Sequence, residues 1–135
     1  MASFDINKTV KFANLIVVEQ DVTGKLNDTN EFTMEMPEGS GHRLISAQLV
    51  ATAASAGTGT EEVRVEKVDA DGSATTIAVF DGASTTSAGL GSVLSADVID
   101  VSECNIASGE SIRFSMDWGA ADTLTCKVTA ILTAN

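Results

Sequence analysis

His42, Cys104 and Cys126 are the residues of this 135-residue chain best suited to nucleophilic or metal chemistry; it has one histidine and two cysteines in all. A Ser-His-Asp relay would need His42 as its base, because imidazole is the side chain that exchanges protons near neutral pH. His42 lies in Gly39-Ser-Gly-His-Arg43, and no GxSxG nucleophile elbow accompanies it. It reads as an exposed loop residue at the start of a strand. A Cys-His pair with either cysteine has no local support, and zinc requires nitrogen and sulfur ligands clustered at short spacings. Two widely separated cysteines without a CxxC motif read as reduced small residues of core or loop. A disulfide stays open, because Cys104 could precede one strand and Cys126 sit on its neighbour.

Three further patterns could carry a ligand. Asp69-Ala-Asp-Gly-Ser73 has the beginning of a calcium loop, but it lacks the later oxygen ligands and the bidentate glutamate. Asp-Gly between apolar runs is the expected hairpin turn, where glycine supplies positive φ. Gly57-Thr-Gly59 and Gly89-Leu-Gly91 do not join a strand to a helix, and no GKS or GKT follows them, so they read as turns and not as phosphate cradles. Trp118 is the one tryptophan. It would have to be the stacking platform of a glycan site, yet it falls on the apolar parity of its strand. These readings leave no catalytic residue, no metal ligand and no cofactor, and the expectation is a protein that is not an enzyme.

Bulk properties narrow the partners. Nineteen acidic against eight basic residues give a net charge of −11. Nucleic acids and anionic membranes bind through clustered lysine and arginine, so neither is expected. The opening Met1-Ala-Ser-Phe-Asp5 has no basic segment, apolar stretch or cleavage site, which gives the expectation of a protein made in cytoplasm. Aromatic residues are only 4% with no tyrosine, so the core must be built from small aliphatic and β-branched side chains, which suit a pleated surface.

The elements that position these residues read as strands. In Glu61–Phe80, Val63, Val65 and Val68 alternate with Arg64, Glu66 and Lys67 before the Asp-Gly turn, and Ile77, Val79 and Phe80 return. Val10–Glu19 reads as one strand and 20–30 as a polar connection. Phe32, Met34 and Met36 alternate inward up to Pro37. Ile45, Ala47, Leu49, Ala51 and Ala53 share one parity. Residues 83–93 read as a connection with one helical turn, and 94–101 as a strand. Ile112, Phe114, Met116 and Trp118 form the cleanest alternation, then a hairpin loop at Gly119–Asp122, then Leu124, Cys126, Val128, Ala130 and Leu132. About eight strands with one wet face point to an all-β, antiparallel sandwich.

Arg43–Ala134 resembles the small jelly-roll proteins of tailed-bacteriophage virions, especially capsid decoration or cement proteins. The residues carrying the resemblance are the strand from Leu44 to Ala53, the hairpin Val63–Gly72, the turn Ala107-Ser-Gly-Glu-Ser-Ile112 and the final strand Leu124–Leu132. It implies an antiparallel β-sandwich of jelly-roll type; the chain itself reads as an N-terminal arm, a first strand and a polar connection over 1–30, followed by the sandwich over 31–135. It also implies a homotrimer bound to the major capsid protein on the outer capsid surface of a virion. Phe4, Ile6, Val10 and Phe12 are apolar residues on the arm. They either dock on another chain or pack back on their own domain; in the first case, deleting Met1–Thr9 leaves the domain folded. The rival class is a receptor- or glycan-binding module using Trp118.

Overall fold

Among the described residues the alternating pattern becomes twelve strands in two sheets, here called A and B. The structure is a computed structural model that describes residues 2–5, 8–12, 15–22, 30–35, 41–56, 62–81, 85, 88–98, 101–117 and 124–134. The strands are β1 (Ala2–Asp5), β2 (Lys8–Phe12), β3 (Leu15–Val22), β4 (Asn30–Glu35), β5 (His42–Ala51) and β6 (Glu62–Val68). They continue with β7 (Ala74–Phe80), β8 (Val93–Ser95), β9 (Asp97–Val98), β10 (Asn105–Ile106), β11 (Ser111–Asp117) and β12 (Cys126–Ala134). A short 3-10 turn covers Val101–Glu103. For β1, β2 and β4 the description is of backbone pairing.

Sheet A has the order β1-β4-β11-β6-β7-β9 and sheet B the order β10-β5-β12-β3-β2, with β8 also on β5. Every pairing is antiparallel except β1 with β4. The protein is a β-sandwich. Eight of its strands are nested: β3 pairs with β12, β4 with β11, β5 with β8 and β6 with β7. A long two-stranded ribbon rolled on itself gives this outermost-to-innermost pairing, which a jelly-roll path requires. The remaining strands close the sides. β8 lies on sheet B and β9 on sheet A with only Ala96 between them, and β1 and β2 likewise lie on opposite sheets. Strands that switch sheets turn the corners of such sandwiches and shelter their edges.

Several expectations change. Residues 1–30 carry more strand than the single first strand read from the sequence. Ala2–Asp5 pairs with Asn30–Thr33, and Lys8–Phe12 pairs with Leu15–Glu19, so this stretch supplies strands to both sheets. Val10–Glu19 holds the end of β2 and the start of β3, which pair antiparallel with each other, and Ala13 and Asn14 lie outside the described residues. Of residues 94–101, Leu94 and Ser95 belong to β8, Asp97 and Val98 form β9, and Val101 opens the 3-10 turn. β11 and β12 belong to different sheets, so Gly119–Asp122, outside the described residues, joins no hairpin. The hairpin at Asp69–Ser73 is present: Gly72 has φ of 90° and donates its N–H to Asp69 O at 2.9 Å.

The core lies between the sheets and is closed by Val18, Leu49, Val63, Val65, Ile77, Phe80, Ile106, Ile112, Phe114, Leu124, Val128, Ala130 and Leu132, all buried. Two parities differ from the sequence reading, each at a bulge or strand end. Ile131 of β12 pairs with Ser46 and Leu132 with Leu44, leaving Ile45 as an extra residue. The bulge moves the inward parity from Leu44 to Ala47 and turns Ile45 outward, 51% exposed. On β6, Lys67 is the register partner of buried Ile112, so Lys67 and not Val68 continues the inward parity.

His42 is buried as the first residue of β5, and its Nδ1 has no hydrogen-bond partner among the described residues. The expectation of an exposed loop histidine fails because β10 and β12 flank it through Ile106 and Ala134. Both cysteines are free thiols. Cys104 accepts a hydrogen bond from Leu44 N, while Cys126 pairs with Ala51. Those contacts stand at opposite ends of β5, about 20 Å apart at about 3.3 Å per residue. A disulfide needs Cα atoms within about 7 Å.

Candidate functional site

The outer faces of the two sheets have opposite characters. On sheet A, cross-strand register places Arg113 beside Glu66, and Arg113 Nε donates to Glu66 Oε1 at 3.2 Å. Arg64 Nη1 lies 3.4 Å from Glu62 Oε1. Both arginines meet carboxylates of their own sheet, while Arg64 Nε is buried with no hydrogen-bond partner among the described residues.

One end of the sandwich gathers the remaining titratable cluster. Lys67 reaches past the core and its ammonium pairs with Glu103 of the 3-10 turn, with Glu110 Oε2 3.7 Å away. Glu110 Oε1 accepts from Ala107 N at 2.9 Å, which fixes the turn before β11. The pairing with Glu103 is the largest influence raising the Lys67 pKa, against the opposing effect of burial. A hydrogen bond with Glu110 is the main cause that raises the Asp69 carboxyl above its ordinary value. Asp71 is held low because it accepts from the Ser73 N–H, at 2.9 Å. This arrangement ties together three loops. No group of three or more metal-ligating side chains occurs among the described residues.

Sheet B presents apolar side chains outward. Four rows cross β3, β12 and β5 in register: Leu15-Thr133-Arg43, Val17-Ile131-Ser46, Glu19-Thr129-Gln48 and Asp21-Lys127-Val50. Leu15 and Ile45 are exposed, and Val17, Ile131 and Val50 are half-buried. Beyond β5, Val101 is 60% exposed on the 3-10 turn. Arg43, Leu44, Ile45, Val101, Cys104 and Thr133 line a shallow cleft of about 430 Å³ at this edge. Leu15, Val17, Ile131 and Ile45 form an apolar strip at one end of this face, and the rest of it is polar and charged; exposed apolar groups of this kind mark places where another chain can dock.

The residues singled out in the sequence fall in different places. Val10 is the register partner of Val17 and Phe12 of Leu15, so both adjoin the apolar rows of sheet B. Phe4 stands instead in register with Phe32, which pairs with Phe114, which pairs with Val65, and the last two are fully buried. Ile6 and Trp118 lie outside the described residues. Sequence reading missed Leu15, Val17, Ile45, Ile131 and Arg43 as one surface. The signal was there in Leu15-Ile-Val-Val18 and Ala130-Ile-Leu132, where both parities are apolar and a half-buried strand needs only one.

No family model matches the chain, and no curated protein matches it.

Proposed function

We propose that the protein is a structural component of a bacteriophage virion, a decoration protein that binds the outside of the head through protein–protein contacts and stabilises it. The observation that carries this reading is the contrast between the two outer faces. Sheet A neutralises its own cations, while sheet B leaves apolar side chains and Arg43 available to another chain. A net charge of −11 suits a protein facing solvent outside a shell better than one lining packaged DNA. The family resemblance supplies the kind of assembly, with the major capsid protein and further copies of this chain as partners. Stabilisation would be mass action: a ligand of the assembled lattice that ignores free subunits raises the cost of disassembly by RT ln(1 + [L]/Kd).

The test is direct. Phage particles purified by density gradient from the host carrying the gene are expected to contain the protein by peptide mass spectrometry and to bind antibodies against it on their heads. Particles without it overturn the assignment. A glycan array probed with wild type and Trp118→Ala examines the rival reading.

A further inference from the structure

We propose that the cleft beside Arg43 anchors the partner protein by one extended segment, with a carboxylate of that segment on Arg43 and an aliphatic side chain two residues away against Ile45 and Val101. This rests on reading the outer face of sheet B as a docking surface, and it states the chemistry that the docking segment must carry.

Charge selects an anion. Arg43 is exposed and forms no ion pair among the described residues. Its register neighbours are Asn105 on β10 and Thr133 on β12, neither of which is ionisable. Glu103, which adjoins the cleft residue Cys104 in the chain, is taken by Lys67. The planar fork of an arginine matches a carboxylate through two parallel hydrogen bonds. The net charge of −11 repels a broadly acidic partner, so a single carboxylate in an aliphatic context fits better than an acidic tract.

Shape selects a protein segment over a small molecule. The cleft measures about 430 Å³ and is shallow. Small-molecule sites enclose about 70–90% of their ligand's surface, which an open cleft at a sheet edge does not do. A protein segment gains further contacts outside the cleft, and the apolar strip of Ile45, Ile131, Val17 and Leu15 continues from it across β12 and β3. Spacing then sets the order of side chains. Arg43 and Ile45 are both exposed on β5 with one residue between them, about 6.7 Å along the strand. The bulge opposite Ile131 is what turns Ile45 outward. An extended segment repeats its side chains on one side at the same interval, so its carboxylate and its aliphatic side chain stand two residues apart. Val101, exposed on the 3-10 turn, supplies the facing wall for the aliphatic group.

The probe is an acetylated and amidated pentapeptide, Ser-Glu-Ser-Leu-Ser, titrated into the isotope-labelled full chain and followed by amide chemical shifts. Shifts confined to the surroundings of Arg43, Ile45, Val101 and Thr133 are expected, with a dissociation constant of about 1–10 mM. Replacing the glutamate of the peptide by glutamine, or Arg43→Gln in the protein, should each weaken binding about threefold or more. Ile45→Ser should do the same through lost apolar contact. Arg43→Glu should reverse the preference, so that a lysine version of the peptide binds better than the glutamate version. Arg43 and Ile45 are exposed, and far-UV circular dichroism verifies that their variants keep the fold. The absence of shifts at about 20 mM peptide overturns the proposal, as does equal binding of the glutamine peptide. Hexanoate binding as tightly as the peptide overturns it in favour of a free aliphatic carboxylate. Shifts of the same amides with protein concentration alone overturn it in favour of a second copy. The titration needs no phage head, so particles that lack the protein would overturn the assembly and leave this result standing.

Discussion

Lys67 of β6 and Ile112 of β11 are direct register partners, one a cation and the other a fully buried aliphatic residue. The pair marks where the core ends. The lysine stem continues the apolar layer beyond Val65, and its ammonium emerges between Glu103 and Glu110. Long cationic side chains cover apolar surface in this way while keeping their charge solvated. Lys67→Ala removes both the cover and the charge that holds two carboxylates together. It is expected to cost about 1–2 kcal/mol, measured as a shift of the urea midpoint without change in its slope. Lys67→Met keeps most of the cover and should cost less, with a stability that rises with salt as Glu103 and Glu110 repulsion is screened.

The hairpin carboxylates beside Lys67 oppose one another in pH. Asp69 is raised in the folded state, chiefly by its hydrogen bond with Glu110. Its contribution is therefore present in full below the ordinary aspartate value and is lost as pH rises through the raised folded value. Asp71 is lowered by Ser73, so its contribution is present above the ordinary value and is lost as pH falls through the lowered one. Asp69→Asn should raise the melting midpoint at pH 7 relative to wild type and lose that advantage at about pH 3. Asp71→Ala should lower the midpoint at pH 7 and approach wild type in strong acid. Thermal melts across pH separate the two, and identical profiles for all three proteins would rule out both roles.

Local pattern and long-range pairing were unequally legible. The Asp69–Ser73 hairpin could be read because turn chemistry is local: Gly72 sits at φ 90°, which l-residues seldom adopt. Ile112 and Phe114 could be read because strict alternation forces them inward. Ile45 could not, since its direction depends on a bulge against Ile131, and a one-residue slip reverses every later side chain. Lys67 could not, because its polar head masks an inward parity set by β11. The apolar face of sheet B was hidden for a related reason. Leu15, Ile131 and Ile45 come from three strands whose adjacency follows from nested pairing and from no local signal.

The thiols give a sharp chemical readout. Burial is the main influence pushing the Cys126 thiol up to about 12, and the negative charge of Asp21 adds to it. Cys104 is equally shielded although it borders the cleft. The thiolate is the reacting species, so neither cysteine should consume Ellman's reagent in the native protein at pH 8. Both should react at once in denaturant without prior reduction. A full complement of thiols appearing only after reductant would mean a disulfide and would contradict the separation of Cys104 and Cys126 along β5.

The N-terminal strands make the opposite prediction to an arm. An arm that serves only docking can be removed without a change in stability. Here, deleting Met1–Thr9 takes away all of β1, the parallel partner of β4, and the first residues of β2 on the edge of β3. Phe4 leaves the row that contains Phe114 and Val65. Exposing the edge of β4 also presents unpaired backbone groups to other chains. The truncated protein should lose at least about 2 kcal/mol and aggregate more readily than wild type on heating. Phe4→Ala alters the strand in register with Phe32 and Phe114 and should reproduce part of the stability loss. Urea unfolding of both variants decides the matter. An unchanged midpoint in both would show that β1 contributes nothing to the sandwich and would return residues 1–9 to the role of an arm.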